Sequence, residues 1–215
     1  MNLERLKRAE EVFLHRYPGG FNNPEIIATR VRKHKPDQMI ALAQEGFSKE
    51  KFMFPNLIVE TMIKVISRSS IISVFEKPGF RDFAGALPPH DKEFLSRGLE
   101  VLLHGNEQTG FEMVLDLFKT GKLAKWSLMT VCQTYFHPQR DVFVKPTTVK
   151  GVIEYFELKD LEYKPTPSWA FYEAYRSAFH EMKSKVDPAL CPTNAAFSGF
   201  LWMTVRGEVV GLRKP

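Results

Sequence analysis

Apolar residues recur at helical spacing along almost the whole chain. Phe111, Val114, Leu115 and Phe118 follow the i, i+3, i+4, i+7 order that places side chains on one face of a helix. Residues 123–136 form another apolar run of helical length, and its richness in Leu, Met and Val predicts a central helix. This spacing predicts an all-α fold.

Prolines separate these periodic segments. Pro24, Pro36, Pro55 and Pro146 each precede a periodic run. We expect them in the first turn of a helix, because the N–H that proline lacks would have no intrahelical partner there. The Lys-Pro-Gly run at 77–79 is expected to be a turn. This punctuation predicts about ten helices with short connections.

Two short segments have a strand-like pattern, residues 142–144 and residues 208–212. They are too short to build a sheet, so we expect at most one or two very short strands. The composition does not shift along the helical part of the chain, which favours one globular domain.

That domain is predicted to span residues 1–206, with an N-terminal lobe at 1–105 and a C-terminal lobe at 106–206 as a further subdivision. Residues 207–215 are expected to form a peripheral tail.

The bulk composition bounds the function only broadly. The chain has 44% hydrophobic and 26% charged residues, and its formal net charge of +5 is compatible with a nucleic-acid partner without requiring one. Two cysteines, Cys132 and Cys191, are too few for a disulfide framework or a four-thiolate metal site. With no basic-then-apolar leader and no apolar run of about 18 residues, we expect a cytoplasmic protein without a membrane segment.

The stretch around Pro146 carries the most chemistry. A proline in the first helical turn leaves the next N–H groups, beginning with those of Thr147 and Thr148, pointing out of the helix where its dipole is positive. Lys145 and Lys150 flank this end. The pattern is typical of a phosphate-binding helix start, and a capped helix with solvated lysines is the alternative.

This stretch and the helix before it resemble the helix-hairpin-helix DNA glycosylases. In that family a lysine-bearing apolar helix is followed by a short extended segment that opens a further helix. Residues 125–131 and 143–149 are similar in order and separation. A later helix at 194–202 stands where that family closes its second helical lobe, so the resemblance covers residues 120–205 at most.

The resemblance implies a helical scaffold that contacts DNA phosphates. It places Pro146 at the position of the family's catalytic aspartate, and residues 120–123 hold one glycine where the family's hairpin usually has two. Asp141 and Asp187 are the nearest acids that could replace that aspartate as a general base. The simpler alternatives are a turn residue at Asp141 and a helix stop and restart at Asp187 and Pro188. The phosphate contacts that carry over are Gly121, Lys122, Lys125, Thr147 and Thr148.

A second cluster adds candidate phosphate contacts. Arg68 and Ser69 follow a strongly apolar helix, and both side-chain types are common phosphate ligands. The alternative is a helix C-terminus at which Arg68 complements the dipole and the serine forms a turn. The densest basic run, residues 28–35, either follows a nucleic-acid backbone or is simply solvated.

A third interpretation is an enzyme with an aromatic pocket for a small molecule. Trp169 and Tyr172 lie off the apolar stripe of their helix and are expected to be exposed. The predicted pocket is lined by Trp126, Tyr135, Trp169 and Tyr172.

Signals for metals and cofactors are weak. The six histidines are scattered, and the chain has no HExxH, Walker, GxGxxG or GxSxG motif, so we expect neither a metal nor a cofactor. DNA is the favoured partner. A non-catalytic module that binds a protein or assembles with itself is the alternative, and enzymatic activity is left undecided. The predicted DNA-contacting residues are Arg68, Ser69, Lys122, Lys125, Lys145, Thr147, Thr148 and Lys150.

Overall fold

The architecture is a packed set of α-helices joined by short connections. The computed structural model is described for residues 1–207, without the side chains of residues 30–33. About 72% of the chain is helical and the described residues contain no strand, which confirms the all-α prediction. The α-helices are α1 (Leu3–Arg16), α2 (Pro24–His34), α3 (Pro36–Gly46), α4 (Pro55–Arg68), α5 (Glu76–Ala86), α6 (Pro89–His104), α7 (Glu107–Thr120), α8 (Trp126–Phe136), α9 (Pro146–Tyr155), α10 (Trp169–Ser184) and α11 (Asn194–Val205). Short 3-10 helices occupy Gly20–Asn22, Lys49–Met53 and Pro188–Leu190.

Proline sets the start of many of these helices. The starts predicted at Pro24, Pro36, Pro55 and Pro146 are confirmed, and α6 likewise begins at Pro89. The turn predicted at 77–79 is wrong, since these residues lie in the first turn of α5. A proline is tolerated there for the same reason as at a helix start: its missing N–H has no intrahelical acceptor.

The strand predicted at residues 142–144 is also wrong. The segment is extended but pairs with side chains instead of a second strand. The Val144 N–H donates to Thr130 Oγ1 at 3.0 Å, and the Val142 N–H donates to the Tyr172 hydroxyl at 3.2 Å. The strand predicted at 208–212, and the tail from residue 208 onward, lie outside the described residues.

Helix α8 lies at the centre of the molecule, as its apolar sequence predicts. Every residue from Trp126 to Tyr135 is buried, and the helix packs against α3, α4, α6 and α7. Two buried threonines on α8 satisfy their hydroxyls within the helix: Thr130 donates to the Trp126 carbonyl and Thr134 to the Thr130 carbonyl. Polar side chains are thus accommodated inside the core at little cost.

Helices α6 and α7 approach each other closely. A Cβ added to Gly110 would overlap the Leu102 backbone nitrogen, and one added to Gly98 would lie 3.1 Å from the Met113 Cβ. The two glycines therefore let the backbones approach more closely than any larger residue allows. Helices α6 and α7 therefore pack as a tight antiparallel helical hairpin, residues 89–120.

The turn between α7 and α8 uses a lysine where glycine is usual. Lys122, at φ +56°, occupies the left-handed position, and the Leu123 N–H reaches back to the Phe118 carbonyl at 2.8 Å. Gly121 has an ordinary negative φ, but a Cβ there would overlap the Phe83 ring. Gly121 is therefore needed because the Phe83 ring packs against it. Lys122, and not the glycine, adopts the strained left-handed backbone conformation.

The first helix packs on the last part of the chain. Phe13 of α1 meets Phe200 of α11 edge to face at 5.4 Å, and the Asn2 N–H donates to the Phe156 carbonyl at 2.7 Å. Burial of such aromatic pairs is a major contribution to stability. Because α1 closes against α11 and the end of α9, the two ends of the described chain lie together.

We expect Gly110→Ala to lower the free energy of unfolding by about 1–3 kcal/mol, because the methyl group would overlap the Leu102 backbone. Gly85→Ala is the matched control. Gly85 lies within α5 and has open space where a Cβ would stand, so alanine should raise the free energy of unfolding by about 0.5–1 kcal/mol. Urea denaturation followed by circular dichroism measures both, and equal effects would contradict the close contact of α6 and α7.

Candidate nucleic-acid interface

The N-terminal end of α9 lies at the surface. Lys145, Thr147 and Lys150 are exposed, and Thr148 is half-buried. The Thr147 N–H has no hydrogen-bond partner in the described part of the chain. The Thr148 N–H does have one, the Lys145 carbonyl at 3.0 Å, so the expectation that it points out free is wrong. The first turn of α9 is closed by the hydrogen bond from Thr148 to the Lys145 carbonyl. The Thr147 N–H is left pointing outward.

A chain of aromatic contacts connects α9 to the start of α8. The ammonium group of Lys150 lies 5.0 Å from the centre of the Tyr163 ring. Tyr163 packs edge-on against Phe171, and Phe171 packs against Trp126 with ring centres 5.1 Å apart. The Trp126 indole N–H donates to the Lys164 carbonyl at 2.8 Å. Lys150 and Lys164 are thereby held around the N-terminal end of α8.

Three further lysines reach the same region. Lys125 directly precedes α8, and Lys122 lies in the same short connection. Lys145 follows Val144, whose N–H is bound to Thr130 one turn into α8. All are exposed. We call this surface the lysine face; it consists of Lys122, Lys125, Lys145, Lys150 and Lys164.

Few carboxylates neutralise the lysine face. Within the described residues Lys122, Lys145 and Lys150 form no ion pair. Lys125 lies 3.9 Å from Glu76, and Lys164 lies 3.6 Å from Glu162, whose side chain is 82% exposed. Glu76 is mostly buried and already accepts a hydrogen bond from Ser127, and the Lys164–Glu162 pair is exposed to solvent. Pairs at these distances contribute little, so the ammonium groups are available to another anion.

The loop between α4 and α5 runs beside α8 from one end to the other. At its start the Ser69 hydroxyl is hydrogen bonded to the Tyr135 hydroxyl at 2.9 Å. At its end Glu76 accepts a hydrogen bond from Ser127 at 2.7 Å. These anchors on α8 are eight residues apart, or about 12 Å along the helix axis. Between them Phe75 is 90% exposed, which places a bare aromatic ring next to the lysine face.

Arg68 and Ser69, the second predicted cluster of phosphate contacts, lie in different environments. Arg68 is exposed at the end of α4, as a phosphate ligand must be. Ser69 is fully buried and its hydroxyl is engaged with Tyr135. The prediction that Ser69 contacts DNA is wrong, because the chain turns inward after α4 and uses this hydroxyl to anchor the loop.

Asp141 is fully buried and both of its carboxylate oxygens are in use. One oxygen accepts from the Tyr172 hydroxyl at 3.1 Å and from Arg176 at 2.8 Å, and the other accepts from Arg140 at 2.9 Å. Glu107 of α7 completes the group through both arginines, at 2.6 Å from Arg176 and 3.2 Å from Arg140. We call these five residues the ionic junction; their two carboxylates balance two guanidinium groups.

The pKa directions in the ionic junction fit a fixed structural role. Burial, together with the Asp141 charge, raises the pKa of the Tyr172 hydroxyl well above its usual value, so it stays protonated and donates. Burial opposes the charge on Arg176, but its hydrogen bonds to Glu107 and Asp141 outweigh that effect and raise its pKa. The prediction that Asp141 could serve as a general base is wrong, because the residue is fully buried and both of its carboxylate oxygens are engaged.

Asp187 is a capping residue. Its carboxylate accepts the Ala189 N–H at 2.7 Å, at the start of the 3-10 helix Pro188–Leu190. It contacts α1, through its own N–H and Glu10, and lies apart from the lysine face. No feature of its surroundings marks it as a base.

The predicted aromatic pocket is part of the core. Trp126 and Tyr172 are at most 1% exposed, and Tyr135 and Trp169 are also buried, so the expected exposure of Trp169 and Tyr172 is wrong. The reason is that α10 is covered on more than its apolar stripe: Tyr172 stacks on Phe111 of α7, and Arg176 lies 5.5 Å from the Trp169 ring.

Neither cysteine is an activated nucleophile. Burial raises the pKa of the Cys132 thiol to about 12, and burial also raises the pKa of the Cys191 thiol. In the described part of the chain no group of three or more His, Cys, Asp or Glu side chains could hold a metal ion. No helix in that part has the length and apolar character needed to cross a membrane.

Sequence reasoning missed Tyr163, Lys164, Phe75 and the ionic junction. The signal for Phe75 was available: an aromatic residue in a serine-rich loop, directly before a helix start, has few neighbours to cover it. Lys164 and the ionic junction carry no comparable signal, because the contacts that place them, Lys164 with Trp126 and Asp141 with Tyr172 and Arg176, join residues 31 to 38 positions apart.

Comparisons of this chain with protein-family models, with curated proteins and with solved structures found no match. Its function must therefore be inferred from the residues and their geometry alone.

Removing the Asp141 charge tests the ionic junction. We expect Asp141→Ala to lower the free energy of unfolding by about 3–5 kcal/mol, because it leaves two guanidinium groups, that of Arg176 largely buried, with Glu107 as their one carboxylate, and removes the acceptor of the buried Tyr172 hydroxyl. Asp116→Ala is the matched control, since the Asp116–Lys119 pair is mostly exposed and should contribute less than about 1 kcal/mol. Urea titration gives both values. A cost for Asp141→Ala no larger than that of the control would show that the junction is not a structural tie.

Proposed function

We propose that this protein binds DNA through the lysine face, with contacts to backbone phosphates. The observation that carries the proposal is the convergence of exposed, poorly neutralised lysines on the N-terminal ends of α8 and α9. Phosphate contacts by lysine supply most of the non-specific affinity of proteins for DNA, because each one releases condensed counterions. The outward Thr147 amide adds one directed hydrogen-bond donor at the same place.

Arg68 and Phe75 extend the proposed surface along α8. Arg68 lies near the Tyr135 end of the helix and the lysine face near the Trp126 end, with Phe75 on the loop that joins them. An exposed aromatic ring between cationic side chains is the arrangement that stacks on an unpaired base while the cations hold the backbone. We therefore expect the protein to prefer DNA that contains unpaired bases over continuous duplex.

Base excision is not part of the proposed activity. The family resembled by residues 120–205 uses an aspartate where this chain has Pro146. Asp141 is sequestered in the ionic junction and Asp187 caps a 3-10 helix, so neither supplies the missing base.

Reversal of two lysine charges tests the binding surface. We expect Lys145→Glu combined with Lys150→Glu to weaken binding of a fluorescein-labelled oligonucleotide by at least tenfold, measured by fluorescence anisotropy at low salt. For the wild type, log Kd should change with log salt with a slope of roughly 3 to 4, as for contacts with four phosphates at about 0.9 each. The double variant should lower this slope by about 2.

The control is Lys49→Glu combined with Lys185→Glu, which makes the same change in net charge at exposed lysines of other elements. If the control weakens binding as much as the variant, general charge and not the lysine face is responsible. Wild-type protein that binds no oligonucleotide at low salt would overturn the proposal.

Replacing Phe75 tests whether the protein prefers DNA with unpaired bases over continuous duplex. Phe75→Ala should weaken binding to a duplex with a single-stranded gap by roughly 1–3 kcal/mol, the usual contribution of one aromatic–base stack, with little effect on continuous duplex. Since Phe75 is 90% exposed, the fold should be unaffected. Anisotropy titrations with both DNAs and a urea denaturation curve check this, and an equal loss for both DNAs would remove the stacking role.

A further inference from the structure

A groove runs between α3 and α4. Two cavities, of about 360 Å³ and about 190 Å³, lie along it and share Leu42 as a wall residue. The two helices approach closely at the smaller cavity, where a Cβ on Gly46 would overlap the Thr61 methyl group. A volume of a few hundred Å³ is that of a small-molecule site.

The larger cavity is cationic and carries no compensating charge on its described wall. Lys35 and Arg68 line it together with Gln38 and with His34, whose ring is hydrogen bonded to the Ser70 hydroxyl at 2.7 Å, and the described lining residues include no carboxylate. Neither Lys35 nor Arg68 forms an ion pair with a described residue. Two permanent cations that face one hollow, beside an amide that can donate a hydrogen bond, match a dianion better than a singly charged group.

The wall also has an apolar part. Met39 is buried and Leu42 half-buried, and both line the larger cavity together with the polar groups. Leu57 continues this strip into the smaller cavity. The groove thus offers cationic groups at Lys35 and Arg68 and an apolar strip from Met39 to Leu57. The smaller cavity adds further charged side chains, Glu45, Lys51 and Lys64.

The backbone of Lys35 is strained. Its φ is +41°, in the left-handed region, and it directly precedes Pro36, a position where helical conformations are already disfavoured. The structure gains no side-chain cap from this residue, because Lys35 makes no capping hydrogen bond at the start of α3. Glycine would fit the conformation better, and the lysine that stands there instead lines the cavity with a cationic side chain.

We infer that this groove binds a phosphate monoester with a compact apolar or aromatic body, of about the size of a nucleoside monophosphate. Arg68 and Lys35 hold the phosphate dianion, Gln38 donates a directional hydrogen bond, and Met39 and Leu42 contact the body of the ligand. Such a ligand can occupy the site whether or not the protein binds DNA, since inorganic phosphate and a free nucleotide have the required chemistry. A 5′-phosphate at the end of a DNA strand has the same chemistry and is distinguished by experiment.

Thermal unfolding tests the site. The Tm measured with sodium phosphate or adenosine monophosphate is compared with the Tm in sodium chloride at equal ionic strength. A ligand of the folded state raises Tm as its occupancy rises. We expect both phosphates to raise Tm, and calorimetry to show at least fivefold tighter binding of the nucleotide because it also covers Met39 and Leu42. Arg68→Gln should weaken both by at least tenfold, whereas Arg97→Gln, on exposed α6 surface, should change neither.

Lys35→Gly separates ligand binding from stability. It should raise Tm without ligand, because it relieves the positive φ, and lower phosphate affinity by at least tenfold. Glu157→Gly is the matched control: Glu157 has φ +53° outside the groove, so its replacement should leave phosphate affinity unchanged. Unequal binding of 5′-phosphorylated and 5′-hydroxyl oligonucleotides, lost in Arg68→Gln, would identify a strand end as the ligand; equal binding identifies the free ester.

The variant with Lys145→Glu and Lys150→Glu should retain the Tm rise with phosphate, which distinguishes this site from the lysine face. Phosphate that raises Tm no more than chloride does, or an Arg68→Gln variant that binds both phosphates like the wild type, would overturn the inference.

Discussion

The buried Asp141 carboxylate is the interaction on which the C-terminal part of the molecule depends. A lone carboxylate cannot remain ionised in an apolar interior, so its position requires Arg140, Arg176 and the Tyr172 hydroxyl to stay where they are. Arg176 in turn fixes Glu107 at the start of α7, and the Asp141 carbonyl accepts a hydrogen bond from Asn194 at the start of α11. One charge thereby determines how α7, α10 and α11 meet.

The same charge positions the proposed DNA-binding surface. The chain leaves Asp141 in an extended conformation, with the next amides bound to Tyr172 and Thr130, so α9 can begin only where Lys145 emerges beside α8. Lys150 then meets Tyr163, and the aromatic contacts from Tyr163 to Trp126 bring Lys164 to the start of α8. The exposed lysines thus stand on a rigid base, which limits the entropy lost when they bind a partner.

Sequence patterns predicted the secondary structure well and the burial of polar groups poorly. Helical periodicity and prolines gave the all-α fold, the central α8 and four helix starts, because each depends on residues a few positions apart. Asp141, Ser69 and Tyr172 were misplaced, since their burial depends on partners that lie 30 or more residues away. The exposure of the α9 start followed from its own residues, whereas its convergence with Lys164 required the fold. The extended segment 142–144 shows what sequence patterns leave undetermined. Its β-type sequence adopts an extended backbone as predicted, but its hydrogen-bond partners are side chains and not a second strand.

The glycine contacts of α6 and α7 also affect the order in which the chain assembles. These helices are adjacent in sequence, joined by a very short connection and packed backbone against backbone, so the loop that must close to join them is small. The ionic junction and the α1–α11 contact, in contrast, join residues separated by tens to nearly two hundred positions. Local pairs form sooner than distant ones during folding. We therefore expect the hairpin to form before the contacts that organise the surface bearing Lys145.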